Sequence, residues 1–285
     1  MLSHKKMIGL AAGFLVSFLV TAGIVFGIHS MAERSAGSSH KVQKPMETTQ
    51  DDMVQKLGTG GKGCVIFLHS GGFVVGKNDY HQRFGQALGE TLGYDYLVPD
   101  YPINESYHET LEYMGTIYEQ ITSEYDSVIF VGCSAGANLA VATTLAYGDT
   151  YGMPQGFILM SPWLDTTMEN EKIQCVSDFD KEFYKNLVEW GQQYNQGEVD
   201  SELASPIKAT QEQLERFPKT VLVVGTEDIL RYDAQDFHQE LIEAGVSSTY
   251  LKAEGKNHGE VFAEYAASYL MPEIMEQALE IVCQQ

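Results

Sequence analysis

A chain of 285 residues is long enough for one domain of ordinary size and a short additional segment. Hydrophobic residues make up 44% of it and charged residues 20%, a balance that indicates a folded globular protein and excludes a mainly disordered one. The formal net charge of −21 disfavours binding to nucleic acid or to anionic lipid headgroups, so we predict neither as a partner.

Residues 1–30 form a candidate membrane segment. Lys5 and Lys6 precede an uncharged, mainly apolar run, Met7–Ile28, whose 22 residues are enough to cross a bilayer as a helix. The apolar core of a secretory signal is usually shorter, so we favour a retained single-pass anchor in the cell membrane. The small residues of Ser30-Met31-Ala32 leave signal cleavage and secretion as the alternative. In both cases the lysines stay inside and the rest of the chain works outside the cytoplasm.

The remaining chain divides into a polar tether at 31–60, which lacks periodicity, and a domain at 61–285. In this domain short apolar runs alternate with longer amphipathic ones. The apolar runs predict strands at Cys64–His69, Tyr94–Val98, Ser127–Gly132, Gly156–Met160, Thr220–Gly225 and Ser248–Ala253. The amphipathic runs predict helices at His81–Leu92, Glu105–Ser123, Ala135–Tyr147, Tyr232–Ala244 and Gly259–Cys283. This alternation predicts an α/β fold with a doubly wound, mostly parallel sheet and helices on both faces.

Residues 163–217 interrupt the alternation. They contain aromatic residues and amphipathic turns but no clear strand. Long insertions over the carboxyl edge of a parallel sheet commonly form lids or substrate walls, so we predict a helical cap here.

The motif Gly132-Cys133-Ser134-Ala135-Gly136 matches G-x-S-x-G and lies between a predicted strand and a predicted helix. In this context the flanking glycines permit a tight turn that exposes the serine hydroxyl above the sheet. We therefore predict Ser134 as a nucleophile. The alternative is a Gly-Ser turn that only starts a helix.

A serine nucleophile needs a base and a group that orients the base. His258 follows the last predicted strand and opens the last helix, so we predict it as the base. Asp228 follows the strand before it and is the predicted acid, although Asp233 fits equally well by composition. The alternative for Asp228 is an N-cap carboxylate, and for His258 an exposed histidine at a helix start.

The segment His69-Ser70-Gly71-Gly72-Phe73 follows the first strong strand. Its small residues let backbone N–H groups turn toward an oxyanion, and the N–H of Ala135 is the expected partner donor. The alternative is a glycine turn that links strand and helix.

Two other kinds of site are not predicted. Residues 58–63 satisfy G-x-G-x-x-G, but a dinucleotide-binding motif follows a strand, and this one precedes a strand. The His, Cys and acidic residues show no metal-ligand spacing, and no disulfide framework is legible in the four cysteines. We expect neither a cofactor nor a metal.

The motifs together resemble the hormone-sensitive-lipase-like branch of the α/β-hydrolases, a family of esterases and lipases. The segment 69–73 is similar to its H-G-G-G-[FW] motif, and 132–140 to its G-D-S-A-G-G-N-L-A motif. Further similar segments are Asp100–Ser106, Ser161–Asp165, Ala204–Pro206 and Asp228–Asp233. The resemblance implies Asp228 and His258 as catalytic acid and base, and Gly71 and Gly72 as oxyanion donors. We also expect Phe73 and Trp163, which lie in these motifs, to bind substrate.

The chain departs from the family pattern at three positions: Ser70 and Ala137 replace glycines, and Cys133 replaces an acidic residue. In this chain the strands and the N-terminal cap helices with which the family's fold begins are shortened. The resemblance implies a serine esterase acting on short- to medium-chain carboxylic esters. A lipase or an acetyl-esterase for acetylated sugars, and a non-catalytic small-molecule-binding domain of the same fold, are the alternatives.

Overall fold

Six strands form one parallel sheet in the computed structural model, which describes residues 54–57 and 63–284. The strands are β1 (Gly63–Leu68), β2 (Asp95–Leu97), β3 (Ser127–Cys133), β4 (Gly156–Met160), β5 (Lys219–Gly225) and β6 (Ser248–Ala253). The α-helices are α1 (Asp79–Leu92), α2 (Tyr107–Glu124), α3 (Ala135–Tyr151), α4 (Asp178–Asn195), α5 (Gln211–Leu214), α6 (Arg231–Glu243), α7 (Glu260–Ser268) and α8 (Glu273–Cys283).

Both faces of the sheet are covered by helices. Alternate residues of β1 belong to two separate clusters of buried side chains: Ile66 packs in one cluster with residues of α2, α3 and α6, and Phe67 packs in the other with residues of α1, α7 and α8. Burial on both faces explains why β1, β3, β4 and β5 are almost continuous apolar runs. The predicted doubly wound α/β architecture is therefore confirmed.

The strand order, β2-β1-β3-β4-β5-β6, reverses direction between β1 and β3. The chain leaves β1 toward one edge of the sheet and then returns to place β3 on the other side of β1. The loops after β1 and β3 therefore diverge and leave a crevice at the carboxyl edge, which is where open α/β sheets bind ligands. The predicted oxyanion segment and the predicted nucleophile occupy these two loops.

The prediction of one continuous helix over Gly259–Cys283 is wrong. The chain forms α7 and α8 with a break at residues 269–272. Tyr269 has a left-handed backbone conformation (φ 55°), and Pro272 precedes the first residue of α8. Proline lacks the N–H that a continuing helix requires and favours the start of a new helix.

The predicted membrane helix, Met7–Ile28, and most of the tether lie outside the described residues. Within 54–57 and 63–284 no helix combines the length and the apolar character required to span a membrane. The predicted insertion, 163–217, contains α4, a 3₁₀ turn at Pro206–Lys208, and α5.

Candidate active site

Ser134 lies on a sharp turn between β3 and α3. Its φ and ψ are 56° and −116°, a backbone conformation that residues other than glycine rarely adopt. The turn is held by a hydrogen bond of 2.9 Å from the Ser134 N–H to the Met160 carbonyl. A β-carbon on Gly136 would overlap the Leu68 carbonyl oxygen, so glycine lets α3 start close to β1. The strained turn presents the Ser134 hydroxyl to the crevice.

His258 lies between Ser134 and Asp228. Its Nε2 is 3.0 Å from the Ser134 Oγ, and its Nδ1 is 3.1 Å from each carboxylate oxygen of Asp228. The three side chains come from the ends of β3, β5 and β6, and the parallel sheet places these ends at one edge. The structure thus brings together the three residues predicted as nucleophile, base and acid.

The environment of Asp228 keeps it ionised. Its side chain is fully buried, which alone would raise its pKa, but His258 and hydrogen bonds from His258, the Leu230 N–H and the Ser161 hydroxyl lower the pKa below its usual value. An ionised carboxylate only accepts hydrogen bonds, so the Nδ1 of His258 carries the proton. The Nε2 is then free to accept the Ser134 proton.

Asp233, the alternative acid, does not contact His258. It is buried on α6, and its Oδ1 accepts a hydrogen bond of 2.7 Å from the Asn170 amide. Burial, with smaller contributions from Asp165, Asp236 and Asp228, raises the pKa of Asp233 to about 7, although the hydrogen bond from Asn170 lowers it. Asp228 is thus the carboxylate that can orient the imidazole.

The segment after β1 turns its backbone with three successive positive φ angles: 131° at Gly71, 61° at Gly72 and 63° at Phe73. Gly71 and Gly72 line the same cavity as Ser134, and Ala135 follows Ser134 as the first residue of α3. Two of the predicted oxyanion donors, Gly71 and Gly72, therefore border the cavity beside Ser134, and the third, Ala135, adjoins Ser134 in the chain.

That cavity has a volume of about 120 Å³. One face of α4 forms its outer wall with Phe179, Glu182, Phe183, Asn186, Leu187 and Trp190. This spacing of three and four residues is that of one helix face. Phe183 also lies against His258, with ring centroids 4.7 Å apart. The described lining of this cavity contains no Lys or Arg, but it contains two acidic residues, Glu182 and Glu260.

Phe73 and Trp163, expected to bind substrate, lie in the core beside the cavity and outside its wall. Their side chains are 2% and 0% exposed, respectively. The aromatic residues of the wall come from α4 instead. Their helical spacing was visible in the sequence, but no sequence signal indicated which face of α4 points to Ser134.

Two departures from the family pattern also line the cavity. Cys133 is buried, and burial raises the pKa of its thiol to about 12, so it is an unreactive neighbour of Ser134. The Oγ of Ser70 lies 3.4 Å from the Nε2 of His81.

Within 54–57 and 63–284 no group of three His, Cys, Asp or Glu side chains is arranged to hold a metal ion.

Comparison with known families agrees with the fold. Residues 65–262 match a family model described as alpha/beta hydrolase fold. The chain belongs to the α/β-hydrolase family. Among solved structures of this fold, a putative esterase from Staphylococcus aureus superposes with a TM-score of 0.70 at 17% identity, covering 91% of each chain. Brefeldin A esterase, a bacterial homologue of human hormone-sensitive lipase, superposes with a TM-score of 0.70 at 16% identity, covering 93% of this chain and 83% of its own.

Sequence relatives of this α/β-hydrolase include enzymes with named activities. An esterase from Acinetobacter venetianus is 26% identical over 64% of this chain and 62% of its own length. An acetyl-hydrolase from Streptomyces hygroscopicus is 26% identical over 65% of this chain and 64% of its own. The chain thus spans less than two thirds of either relative. The predicted place in the hormone-sensitive-lipase-like branch is confirmed.

Proposed function

We propose that this α/β-hydrolase is a serine esterase that hydrolyses carboxylic esters through an acyl-enzyme. The observation that carries the proposal is the His258 imidazole, which contacts the Ser134 Oγ at 3.0 Å and both oxygens of Asp228 at 3.1 Å. This is the arrangement in which a histidine can activate a serine. The esterases and the acetyl-hydrolase among its relatives support the same chemistry.

The first half of the reaction transfers the acyl group to the protein. The Nε2 of His258 takes the proton of Ser134 while Oγ attacks the ester carbonyl, and a tetrahedral intermediate forms. Asp228 stabilises the resulting imidazolium. When the intermediate collapses, the C–O bond to the alcohol breaks, and His258 returns the proton to the departing alcohol.

The second half regenerates the serine. His258 takes a proton from water, and the hydroxide that forms attacks the acyl carbonyl. Collapse of the second intermediate breaks the bond to Oγ, which receives its proton back from His258, and the carboxylic acid leaves. In both halves the N–H groups of Gly71, Gly72 and Ala135 hold the negative oxygen.

The size of the cavity favours small esters. Its volume of about 120 Å³ and its mainly apolar wall suit a short acyl chain. Acetyl esters are therefore the second candidate substrates, which the acetyl-hydrolase from Streptomyces hygroscopicus also supports.

Replacement of Ser134 tests the function. We expect Ser134→Ala to reduce kcat for p-nitrophenyl butyrate at least about 10³-fold while the thermal unfolding midpoint stays near that of the wild type, because only the nucleophile is lost. Unchanged hydrolysis by the folded variant would refute Ser134 as nucleophile. A wild-type protein that binds esters without hydrolysing them would instead support the binding-domain alternative.

We also propose that Met7–Ile28 anchors the enzyme in the cell membrane with its catalytic domain outside. The charge-free length of this segment supports the proposal. The full chain should then stay in the membrane fraction after alkaline carbonate washing, and a chain starting at residue 31 should not. A mature N-terminus near residue 32 would support the cleaved-signal alternative.

A further inference from the structure

The loop that carries Gly71 and Gly72 contacts helix α4 of the insertion. A β-carbon built on Gly72 would lie 2.7 Å from Cζ3 and 3.2 Å from Cδ2 of Trp190, so the indole ring lies directly against the Gly72 backbone. Only glycine leaves room for this contact. Trp190 therefore touches the segment whose N–H groups are proposed to bind the oxyanion.

A second aromatic residue of α4 contacts the same loop one helical turn later. The rings of Tyr194 and Phe73 are stacked, with centroids 3.7 Å apart and an angle of 2° between their planes. Both side chains are at most 2% exposed. Residues four apart lie on the same side of a helix, so Trp190 and Tyr194 together hold two consecutive residues of the loop.

The part of α4 that makes these contacts is itself fixed to the fold. A β-carbon on Gly191 would overlap the Thr166 carbonyl oxygen, so glycine allows α4 to lie close to that segment. The side-chain amide of Asn195 donates to the Thr166 Oγ1 at 3.3 Å, and the Thr166 N–H donates to the Ser205 Oγ at 2.9 Å. The opposite end is less restrained: Phe179 is 45% exposed.

The conformation of the loop needs such support. Three successive positive φ angles end at Phe73, a residue with a side chain, for which a left-handed conformation is unfavourable. Unfavourable backbone conformations persist where the surrounding structure holds them. The stacking of Phe73 on Tyr194 and the contact of Gly72 with Trp190 supply that restraint.

We propose that Trp190 and Tyr194 are positioning residues that hold the 71–73 loop with its N–H groups directed at the ester oxygen. The inference rests on the proposed esterase function and adds a second role for α4 beyond forming the cavity wall. Loss of one oxyanion donor typically costs about 10²–10³ in rate, so a displaced loop should lower kcat strongly.

The experiment has to separate positioning from wall formation, because Trp190 also lines the cavity. An alkyl trifluoromethyl ketone does so: the Ser134 Oγ adds to its carbonyl, the proton passes to His258, and the new oxyanion needs the loop. The matching trifluoromethyl alcohol fills the same cavity without forming an oxyanion. The ratio of their inhibition constants therefore reports on formation of the oxyanion adduct, separately from filling of the cavity.

For Trp190→Ala we expect a 10- to 100-fold loss of kcat on p-nitrophenyl acetate, consistent with partial loss of oxyanion binding. Ketone binding should weaken about tenfold more than alcohol binding. Trp190→Phe, whose ring can still contact Gly72, should recover most of the loss. Phe179→Ala is the matched control, because it removes a wall aromatic that is distant from the loop: it should change KM and alcohol binding without changing the ketone-to-alcohol ratio.

Tyr194 gives an independent arm. Tyr194→Leu removes the stacked ring and should lower kcat and the ketone-to-alcohol preference as Trp190→Ala does. Tyr194→Phe keeps the ring and should keep the ketone-to-alcohol ratio of the wild type. These two variants also test the inference if Trp190→Ala fails to fold. A ratio within threefold of wild type in the folded alanine and leucine variants would overturn the inference and leave the esterase function standing. A wild-type protein that neither hydrolyses esters nor binds the ketone would refute the esterase function, and the inference with it.

Discussion

Among single side chains, Asp228 decides which nitrogen of His258 is free to accept the serine proton. Its buried, ionised carboxylate faces Nδ1 and leaves Nε2 toward Ser134. An amide at 228 can present its NH₂ group to Nδ1 and so favour the tautomer that cannot accept the serine proton.

We therefore expect Asp228→Asn to lower kcat for p-nitrophenyl butyrate about 10³–10⁴-fold. Asp233→Asn is the matched control, because Asp233 is equally buried on the next helix but does not contact His258. It should keep kcat within about threefold of wild type, since its carboxylate takes no part in the proposed proton transfer. An equal loss in both variants would contradict the assignment of the acid.

Asp233 makes the stability of the fold depend on pH. Burial raises its pKa from 3.8 to about 7, so between these values the folded protein keeps a proton that the unfolded chain has released. The free energy of unfolding contributed by Asp233 therefore falls as pH rises through this window, and above pH 7 the loss is complete.

Asp233→Asn, which imitates the protonated form, should remove this dependence. Relative to wild type, its free energy of unfolding should be higher at about pH 8 than at about pH 5 by on the order of 2 kcal/mol, measured by urea denaturation at both pH values. The comparison with wild type cancels the contributions of other titrating groups. The same difference at both pH values would show that Asp233 is not a buried neutral acid.

Among the helices and strands, α4 depends for the stability of its N-terminal end on the hydrogen bonds of its first turn. The Ser177 Oγ accepts from the Asp180 N–H at 3.0 Å, and the Asp180 carboxylate accepts from the Ser177 N–H at 2.9 Å. This capping box satisfies backbone donors at the end of the helix that carries Phe179 and Phe183.

Ser177→Ala should reduce stability by about 1 kcal/mol and raise KM for p-nitrophenyl butyrate more than it lowers kcat. The reason is that fraying of this end disturbs the cavity wall, while the Trp190 end of α4 stays fixed. Steady-state kinetics with urea denaturation measure both effects. Ser177→Thr, which retains the hydroxyl cap, should stay close to wild type, and a larger change in kcat than in KM would contradict this division of α4.

The strands β1, β3, β4 and β5 were predictable because they are buried on both faces and therefore read as apolar runs, whereas β6 is only half-buried. The helices α1, α2 and α6 were predictable from their one-sided burial, and α3, whose first ten residues are all buried, from its place after the G-x-S-x-G motif. Helix α4 was harder to predict, since the insertion has no strand partner and its buried face depends on contacts with distant segments such as Thr166. The break between α7 and α8 is formed by the left-handed turn at Tyr269 and by Pro272, which apolar periodicity does not reveal.

The site was predictable to the extent that chain order fixes position. Ser134, Asp228 and His258 each follow a strand, and parallel strands end at one edge. The residues of the cavity wall were not predictable in this way. Phe73 and Trp163 could be matched to motifs, but the direction in which their side chains point could not be inferred from the sequence. Phe73 points to Tyr194 because its backbone adopts a positive φ, which no local sequence pattern required.

The charge of the entire chain bears on its choice of substrates. The formal charge is −21, and the cavity is bordered by Glu182 and Glu260, with no Lys or Arg among its described lining. Such a negative field concentrates cations and repels anions near the site, an effect that salt screens. Aromatic faces such as that of Trp190 also attract cations.

We expect acetylcholine to have a higher kcat/KM than 3,3-dimethylbutyl acetate, its uncharged analogue of similar shape, by about 3- to 10-fold at low ionic strength. The ratio should approach one as salt is raised to about 0.5 M, because screening acts on the charged ester alone. Glu182→Gln should reduce the ratio without changing the rate for the neutral ester. A ratio that is independent of salt would contradict the electrostatic explanation.

The central claim, that His258 and Asp228 activate Ser134, is tested most directly by labelling with a fluorophosphonate and mapping the adduct by mass spectrometry. We predict one adduct per chain, on Ser134, which Ser134→Ala abolishes and His258→Ala slows by at least about 10²-fold. A folded protein that carries no adduct, or that is labelled at another residue while Ser134 stays free, would contradict the account.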